Sequence, residues 1–226
     1  MAGVLALGLL LMGSVYAGSP AGDHPYTGDR GHAGEAEAPV PAQSEVRAEL
    51  AELATRVERL SQGWARLSAF YEAEVAPIER VLLRYSDDRE LVGHVATALV
   101  REARAAGIEP RLLLAVLLVE NPWLDPKVRS FVGAVGLMQV MPVHRGGWSC
   151  GRDLEDVDTN VCLGARVFAH YLDRADGDME KALLRYNGCV TGSNTPNCHL
   201  YPSRVLAHAG RVAAAPTPGQ VPSASP

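Results

Sequence analysis

The amino-acid sequence predicts a mostly α fold, and three observations lead to that prediction. Apolar residues recur at spacings of three and four along most of the chain, as they do on one face of an α-helix. Residues such as Gly107 and Pro110 stand where helices typically end and begin. No segment shows the alternation of apolar and polar residues that is typical of a half-buried strand.

The length and composition of the chain limit the class of protein. The 226 residues (24.1 kDa) suit one domain with extensions, and 47% apolar residues can form a packed core. No apolar run reaches the ~20 residues of a membrane-spanning helix, which excludes a polytopic membrane protein. An isoelectric point near 5.8 argues against nucleic acid as a partner, because phosphate binding needs a surplus of Lys and Arg.

The formal net charge of −5 is unevenly distributed. Between Gly18 and Ala76 there are 5 basic and 10 acidic residues, whereas Pro77 to Arg211 contains 16 of each. The acidic surplus therefore belongs to the first third of the chain, and the remainder is neutral. Attraction to an anionic partner through net charge is not expected for the neutral part.

The ends of the chain have the composition of targeting and linker segments. Residues 1–17 form an apolar stretch that ends in Val15-Tyr16-Ala17, which indicates a signal peptide or an N-terminal anchor. Residues 18–43 are rich in Gly, Pro, Ala and Glu and predict a disordered linker. Residues 213–226 predict a disordered Pro/Ala/Ser tail. We therefore expect an exported protein of the periplasm or cell envelope.

Residues 44–76 predict one amphipathic helix with a heptad pattern. Ser44, before Glu45, is the expected N-cap. Two interpretations stay open: a coiled coil that makes the protein a homo-oligomer through residues 46–71, or a helix folded back on its own domain. The apolar seam comprises Val46, Leu50, Leu53, Val57, Leu60, Trp64, Leu67 and Tyr71.

Residues 77–212 predict a helical domain. Pro77 restarts the helical pattern, Asp87 is the expected cap of the next helix, and Gly107 is its stop. Pro110 opens a strongly apolar helix that must end before Pro122. Further helices are expected to begin at Asn160, after the cap Asp178, and at Ser203.

The four cysteines fall within one 49-residue stretch of an exported chain, which indicates disulfide bonds. Three pairings are formally open. We favour Cys150–Cys162 and Cys189–Cys198, because each pair brackets a short, turn-rich segment. The alternative of a metal site with His144 or His199 is weaker because no C-x-x-C pair is present, and we predict neither a metal nor a cofactor.

Glu120 follows the apolar run Leu112 to Val119 and closes that helix. Burial and the C-terminal end of the helix dipole both disfavour a charged carboxylate, so its pKa should be raised. A protonated Glu near neutral pH is what a glycosidase needs to protonate a leaving oxygen. The alternative is a Glu that simply points into solvent at the helix end.

A glycine-rich turn follows Glu120. Gly133 and Gly136 predict a tight turn that a ligand can approach, and Met138 and Gln139 offer apolar contact and an amide. This mixture suits a sugar-binding groove. The alternative is an ordinary turn with methionine in the core.

Several motifs in order resemble the lytic transglycosylase SLT domain family. They lie between Gly107 and Arg211, which is roughly half of the chain. The resemblance is carried by Glu120-Asn121-Pro122-Trp123, Gly133-Ala134, Gly136-Leu137-Met138-Gln139, Met141-Pro142, Asn160-Val161-Cys162-Leu163-Gly164-Ala165, Tyr186-Asn187-Gly188 and Tyr201.

The resemblance implies a lysozyme-like, mostly helical domain that cleaves the MurNAc–GlcNAc β-1,4 bond of peptidoglycan glycan strands. It implies a 1,6-anhydro-MurNAc product and one catalytic carboxylate, Glu120, that acts first as acid and then as base. The N-acetyl group and C6 hydroxyl of the substrate would replace a second carboxylate and water. We interpret Asp125, the nearest alternative carboxylate, as a turn residue.

The resemblance also implies which residues contact the substrate, with Tyr186 and Asn187 beside Glu120 and with Tyr201 a weaker candidate. The full predicted set is Asn121, Met138, Gln139, Tyr186, Asn187 and Tyr201. Asn121 departs from the Ser that commonly follows the catalytic Glu, and Cys189 departs from the usual Tyr-Asn-Ala-Gly-Pro segment. A hydrolytic muramidase and a non-catalytic wall-binding or scaffold module remain alternatives.

Overall fold

A computed structural model describes residues 42–189 and 197–213. In these residues the structure contains helices, turns and two isolated bridges but no strand, which confirms the mostly α prediction. The predictions for residues 1–17, for most of the linker and for nearly all of the tail lie outside the described residues. Apart from three short 3-10 helices, the helices of the described residues are α1 (Gln43–Phe70), a π-helix (Tyr71–Val75), α2 (Ala76–Leu82), α3 (Arg89–Ala106), α4 (Pro110–Glu120), α5 (Val157–Asp173), α6 (Met179–Tyr186) and α7 (Tyr201–Ala213).

The chain divides into two units, Met1–Glu49 and Leu50–Pro226. Only residues 42–49 of the first unit are described, and they form the exposed start of α1. The second unit contains the rest of α1 and every other helix. In the described ranges no helix combines the length and apolarity that crossing a membrane requires.

The apolar seam of α1 is exposed. No residue of α1 is buried, and Leu53 and Leu60 are 51% and 74% exposed. Between Leu50 and Phe70 the helix therefore does not pack as a buried element. Its C-terminal end meets the helical domain, where Arg104 of α3 lies over the ring of Phe70 at 5.3 Å. The π-helix then continues directly into α2.

Four helices begin one to three residues away from their predicted starts, and side-chain caps explain two of these differences. Asp88, rather than Asp87, caps α3 by accepting a hydrogen bond from the Leu91 N–H (3.0 Å). Asp156 caps α5, which starts before Asn160. The turn Cys198–Leu200 runs directly into α7, which starts before Ser203. α1 begins at Gln43, before the expected cap Ser44.

Two other boundaries agree with the sequence. Gly107 ends α3 in the left-handed conformation (φ 68°), which glycine adopts without strain. Asp178 caps α6 through the Lys181 N–H (3.0 Å).

The core is built around α4, in which Leu113, Leu114, Leu117 and Leu118 are almost completely buried. α4 packs against α7, and α3 packs against α5. Because α4 is apolar on all sides, its interior position is the one that its sequence favours. Its last residue, Glu120, is thereby brought beside the start of α7.

Both predicted disulfides are present, Cys150–Cys162 and Cys189–Cys198, each with a Cα–Cα distance of 5.6 Å. The first ties the loop before α5 to that helix. The second joins the end of α6 to the turn that precedes α7.

Gly164 of α5 offers a direct test of the packing. A Cβ atom there would lie 2.5 Å from Met138 Cβ and 2.7 Å from its Cγ. We expect Gly164→Ala to lower the free energy of unfolding by about 1–3 kcal/mol, measured by chemical denaturation. Gly63→Ala is the control, because nothing lies within 4 Å of a Cβ at that helical position. It should be neutral or stabilising by up to ~1 kcal/mol. Equal stability of the two variants would contradict this packing.

Candidate active site

Glu120 is the last residue of α4 and is half-buried. Its Oε1 accepts a hydrogen bond from the Tyr201 hydroxyl at 2.6 Å. Burial raises the pKa of Glu120 to about 7, although the hydrogen bond from Tyr201 and the positive charge of Arg204 both lower it. Near neutral pH the carboxyl can therefore exist in both its protonated and its charged form. The side chain does not simply extend into solvent, as the alternative interpretation supposed.

Tyr201 is the direct partner of Glu120. Only 1% of Tyr201 is exposed. Burial, the main cause, and the charge of Glu120 raise the pKa of Tyr201 well above its usual value, so its hydroxyl remains a donor. The sequence indicated Tyr201 only as a weaker candidate for substrate contact. The start of α7 nevertheless places its hydroxyl against the Glu120 carboxyl.

Tyr186 does not hydrogen-bond Glu120. Its hydroxyl donates to the Met138 carbonyl at 2.8 Å, and its ring packs edge-on against Phe168 at 5.8 Å between centroids. Burial raises the pKa of Tyr186 well above its usual value, and the charge of Glu120 raises it further. Tyr186 and Glu120 are therefore neighbours. Asn187 follows at the end of α6 and is half-buried.

Asn121 lies beneath the site rather than on its surface, with no exposed area. Its Nδ2 donates to the carbonyls of Asp125 (2.7 Å) and Gly136 (3.3 Å), and its Oδ1 accepts from the Asp125 N–H (3.3 Å). Asn121 therefore joins the end of α4 to the glycine turn and presents no surface to a substrate. Asp125 accepts from the Lys127 N–H (2.9 Å), which agrees with its interpretation as a turn residue.

Asn160 holds the glycine turn from the other side. Its Oδ1 accepts from the Met138 N–H (2.8 Å), and its Nδ2 donates to the carbonyls of Val135 (2.9 Å) and Leu154 (2.7 Å). A Cβ at Gly136 (φ 79°) would meet the Leu154 carbonyl at 2.7 Å, so this close approach requires glycine. The turn is thus fixed by buried amide hydrogen bonds.

The same turn separates Met138 from Gln139. Met138 is completely buried in the core. Gln139 has a left-handed backbone (φ 48°), its Nε2 donates to the Gly136 carbonyl (2.8 Å), and it lines a cleft of about 130 Å³. Tyr186 lines that cleft as well. Of the two predicted contacts on the turn, only Gln139 faces the open space.

Arg204 is a residue of the site region that the sequence did not single out, and His144 was considered only as a ligand of the alternative metal site. Arg204 follows Tyr201 by three residues on α7, and that helical spacing is the signal that places it near Glu120. His144 lines the cleft beside Gln139. In residues 42–189 and 197–213, no three His, Cys, Asp or Glu side chains are grouped as a metal site would require.

Comparison with known proteins finds a family match over much of this site. Residues 98–195 match the family model "Transglycosylase SLT domain". A protein described as "Transglycosylase" from Enterobacteria phage PRD1 is 35% identical over 103 residues, covering 44% of this chain and 37% of the phage protein. This chain thus matches only about a third of the length of that relative.

The chain is also similar to the X-ray structure of an inactive mutant of lytic transglycosylase Slt from Pseudomonas aeruginosa. The identity is 23% and the TM-score 0.43, over 51% of this chain and 23% of that one. The family match, residues 98–195, contains Glu120, Gln139, Asn160 and Tyr186. Over those residues the chain is similar to the transglycosylase SLT domain family.

Proposed function

We propose that this protein is a peptidoglycan lytic transglycosylase. It cleaves the β-1,4 bond between MurNAc and GlcNAc and leaves a 1,6-anhydro-MurNAc end. The observation that carries the proposal is the half-buried Glu120, whose pKa of about 7 makes it able to give and to take a proton near neutral pH. The SLT domain match around this residue supports the same substrate class.

Two proton transfers complete the proposed reaction. Protonated Glu120 donates its proton to the glycosidic oxygen, and the C1–O bond of MurNAc breaks. The C6 hydroxyl of the same MurNAc then attacks C1 and gives its proton to the Glu120 carboxylate. The acid is regenerated, no water is consumed, and every atom of the substrate is retained in the two products.

One carboxylate suffices if the substrate supplies the other groups. Glycosidases usually use a second carboxylate to stabilise or attack the positively charged sugar. In the described residues, Arg204 is the charged group that shifts the pKa of Glu120, and no carboxylate contributes to that shift. The N-acetyl group of MurNAc would stabilise C1 in place of a second Asp or Glu.

Tyr201 would keep the Glu120 carboxyl in one orientation, because it donates to only one of the two carboxyl oxygens. The other oxygen is then available to the substrate. Gln139 would contact the sugar from the cleft, with Tyr186 and Asn187 at its border. Asn121 and Met138 would act indirectly, by holding the turn on which Gln139 stands.

A protein that acts on peptidoglycan must reach the cell envelope. We infer export to the periplasm or envelope, with residues 1–17 as signal peptide or anchor. Two disulfides support this location, since disulfides persist in oxidising compartments. We further propose a linker at 18–43, the heptad helix at 44–76, the catalytic domain at 77–212 and a tail at 213–226.

The exposed seam of α1 supports a homo-oligomer through residues 46–71. All eight of its apolar side chains leave more than a third of their surface exposed. A second copy of the helix would cover that apolar surface. Phe70, Leu67 and Trp64 also line an apolar depression beside Thr97 of α3.

Digestion of purified murein tests the proposed reaction. Wild-type protein should release muropeptides with anhydro ends, which mass spectrometry identifies because they are lighter by one water than reducing ends. Glu120→Gln should lower the rate by at least about a hundredfold, because the amide neither donates nor accepts the required proton. Reducing MurNAc ends would identify a hydrolytic muramidase. Undiminished lysis by Glu120→Gln, or murein binding without lysis by the wild type, would exclude the proposal.

The pH profile tests the role of Tyr201. The acid form of Glu120 starts the reaction, so kcat/KM should fall as pH rises through about 7. Tyr201→Phe removes a hydrogen bond that lowers this pKa, so the alkaline limb should move to higher pH. Tyr186→Phe is the matched control, because the Tyr186 hydroxyl donates to the Met138 carbonyl and not to Glu120. The alkaline limb of the Tyr186→Phe profile should therefore stay at the wild-type pH. A shift to lower pH in Tyr201→Phe would contradict the assignment.

Sedimentation velocity tests the oligomer. Leu53→Glu places a charge in the seam and should reduce the mass of the assembled species toward that of a monomer. Thr55→Glu introduces the same charge outside the seam of α1 and should leave the mass unchanged. A monomeric wild type, or equal behaviour of the two variants, would rule out assembly through this helix.

A further inference from the structure

We propose that Trp148 and the loop around it bind a sugar ring of the glycan strand, farther along the strand than the rings that contact Gln139. The inference rests on the proposed function and extends its substrate to a longer strand. It starts from a half-exposed tryptophan that is no part of the core.

The loop holds Trp148 in an unfavourable backbone conformation. Trp148 (φ 49°) and Ser149 (φ 60°) are consecutive left-handed residues, and neither is glycine. Such residues cost free energy and persist where the surrounding structure imposes them. Packing alone does not account for the position, because 49% of Trp148 is exposed.

Covalent and hydrogen bonds impose that conformation. The Gly146 N–H donates to the Gly151 carbonyl (2.6 Å), and the Cys150 N–H donates to the Gly147 carbonyl (3.0 Å). The Cys150–Cys162 disulfide anchors the end of the loop to α5. The indole is therefore oriented before any ligand arrives, which lowers the entropy cost of binding.

The indole stands in a small aromatic cluster. The His144 ring lies 6.1 Å from it and the His170 ring 6.3 Å, measured between centroids, and Tyr171 adjoins His170 at 5.8 Å. Burial, followed by the charge of His170, lowers the pKa of His144, which favours its neutral ring at physiological pH. The surface beside Trp148 is thus a set of ring faces and edges, partly open to solvent.

The depression at this loop has room for a sugar. Its volume is about 410 Å³, within the ~300–1,000 Å³ of ligand pockets. Its lining residues are Val143, His144, Arg145, Gly146, Gly147 and Trp148. The C–H faces of a pyranose can lie against the indole, and Arg145 can donate to hydroxyl or acetamido oxygens.

His144 connects this depression to the cleft beside Gln139 and Tyr186. It lines the 410 Å³ depression and also the cleft that Gln139 and Tyr186 line. Tyr186 is in turn close enough to Glu120 for the charge of Glu120 to raise its pKa. A strand that occupies the cleft can therefore continue past His144 to Trp148. This continuity favours the glycan itself over a separate ligand as the occupant.

Affinity for glycan strands of two lengths tests the inference. In the Glu120→Gln background, which prevents cleavage, titration calorimetry would compare a peptide-free murein octasaccharide with the tetrasaccharide. Trp148→Ala should reduce the ratio of the two affinities about tenfold, and Trp148→Phe should restore most of it. Tyr85→Ala is the control, because Tyr85 is an exposed aromatic that lines neither cavity, and it should leave the ratio unchanged.

Fluorescence gives a second readout that keeps Trp148 in place. The chain has three tryptophans, so Trp64→Phe together with Trp123→Phe leaves Trp148 as the only indole. Its emission should change with the octasaccharide and much less with the tetrasaccharide. An unchanged affinity ratio in Trp148→Ala, together with unchanged emission, would overturn the inference. If neither strand bound the Glu120→Gln protein, the proposed function itself would fail.

Discussion

The burial of one carboxyl group at the end of α4 is the constraint on which the rest of the site depends. A helix as apolar as Pro110–Glu120 is stable only inside the domain, and its interior position takes Glu120 out of water. The Tyr201 hydroxyl partly compensates for that loss. The packing of α4 against α7 therefore creates the acid and also supplies its partner.

The turn beside this carboxyl is held by two asparagines rather than by regular structure. Asn121 and Asn160 reach it from opposite sides, and their amides bond to backbone groups that would otherwise be buried without partners. Every fully buried side-chain nitrogen and oxygen in the described residues has a hydrogen-bond partner. Such a satisfied network fixes one conformation of the turn, and Gln139 is positioned by that conformation.

Local features were predictable from the sequence because they arise from neighbouring residues. The helical class, the stop at Gly107, the cap Asp178 and both disulfide pairs followed from spacing and residue type. The raised pKa of Glu120 followed from the apolar run before it.

Contacts between distant segments were not predictable in the same way. Tyr201 is 81 residues from Glu120, and no local pattern distinguishes it from Tyr186 as the donor. The burial of Asn121 and Met138 likewise depends on how α5 covers the turn. The surroundings of Trp148 depend on a strained loop, and sequence spacing carries no signal for left-handed residues other than glycine.

The most direct test of this account is the pKa of Glu120 itself. Carbon-detected NMR of the side-chain carboxyl would follow its titration in the wild-type protein, with Glu120→Gln identifying the signal. A midpoint near 7 is the result that the structure predicts. A midpoint near the ordinary value of about 4.3 would contradict it, because Glu120 would then carry no proton at neutral pH and would be unable to act as the acid.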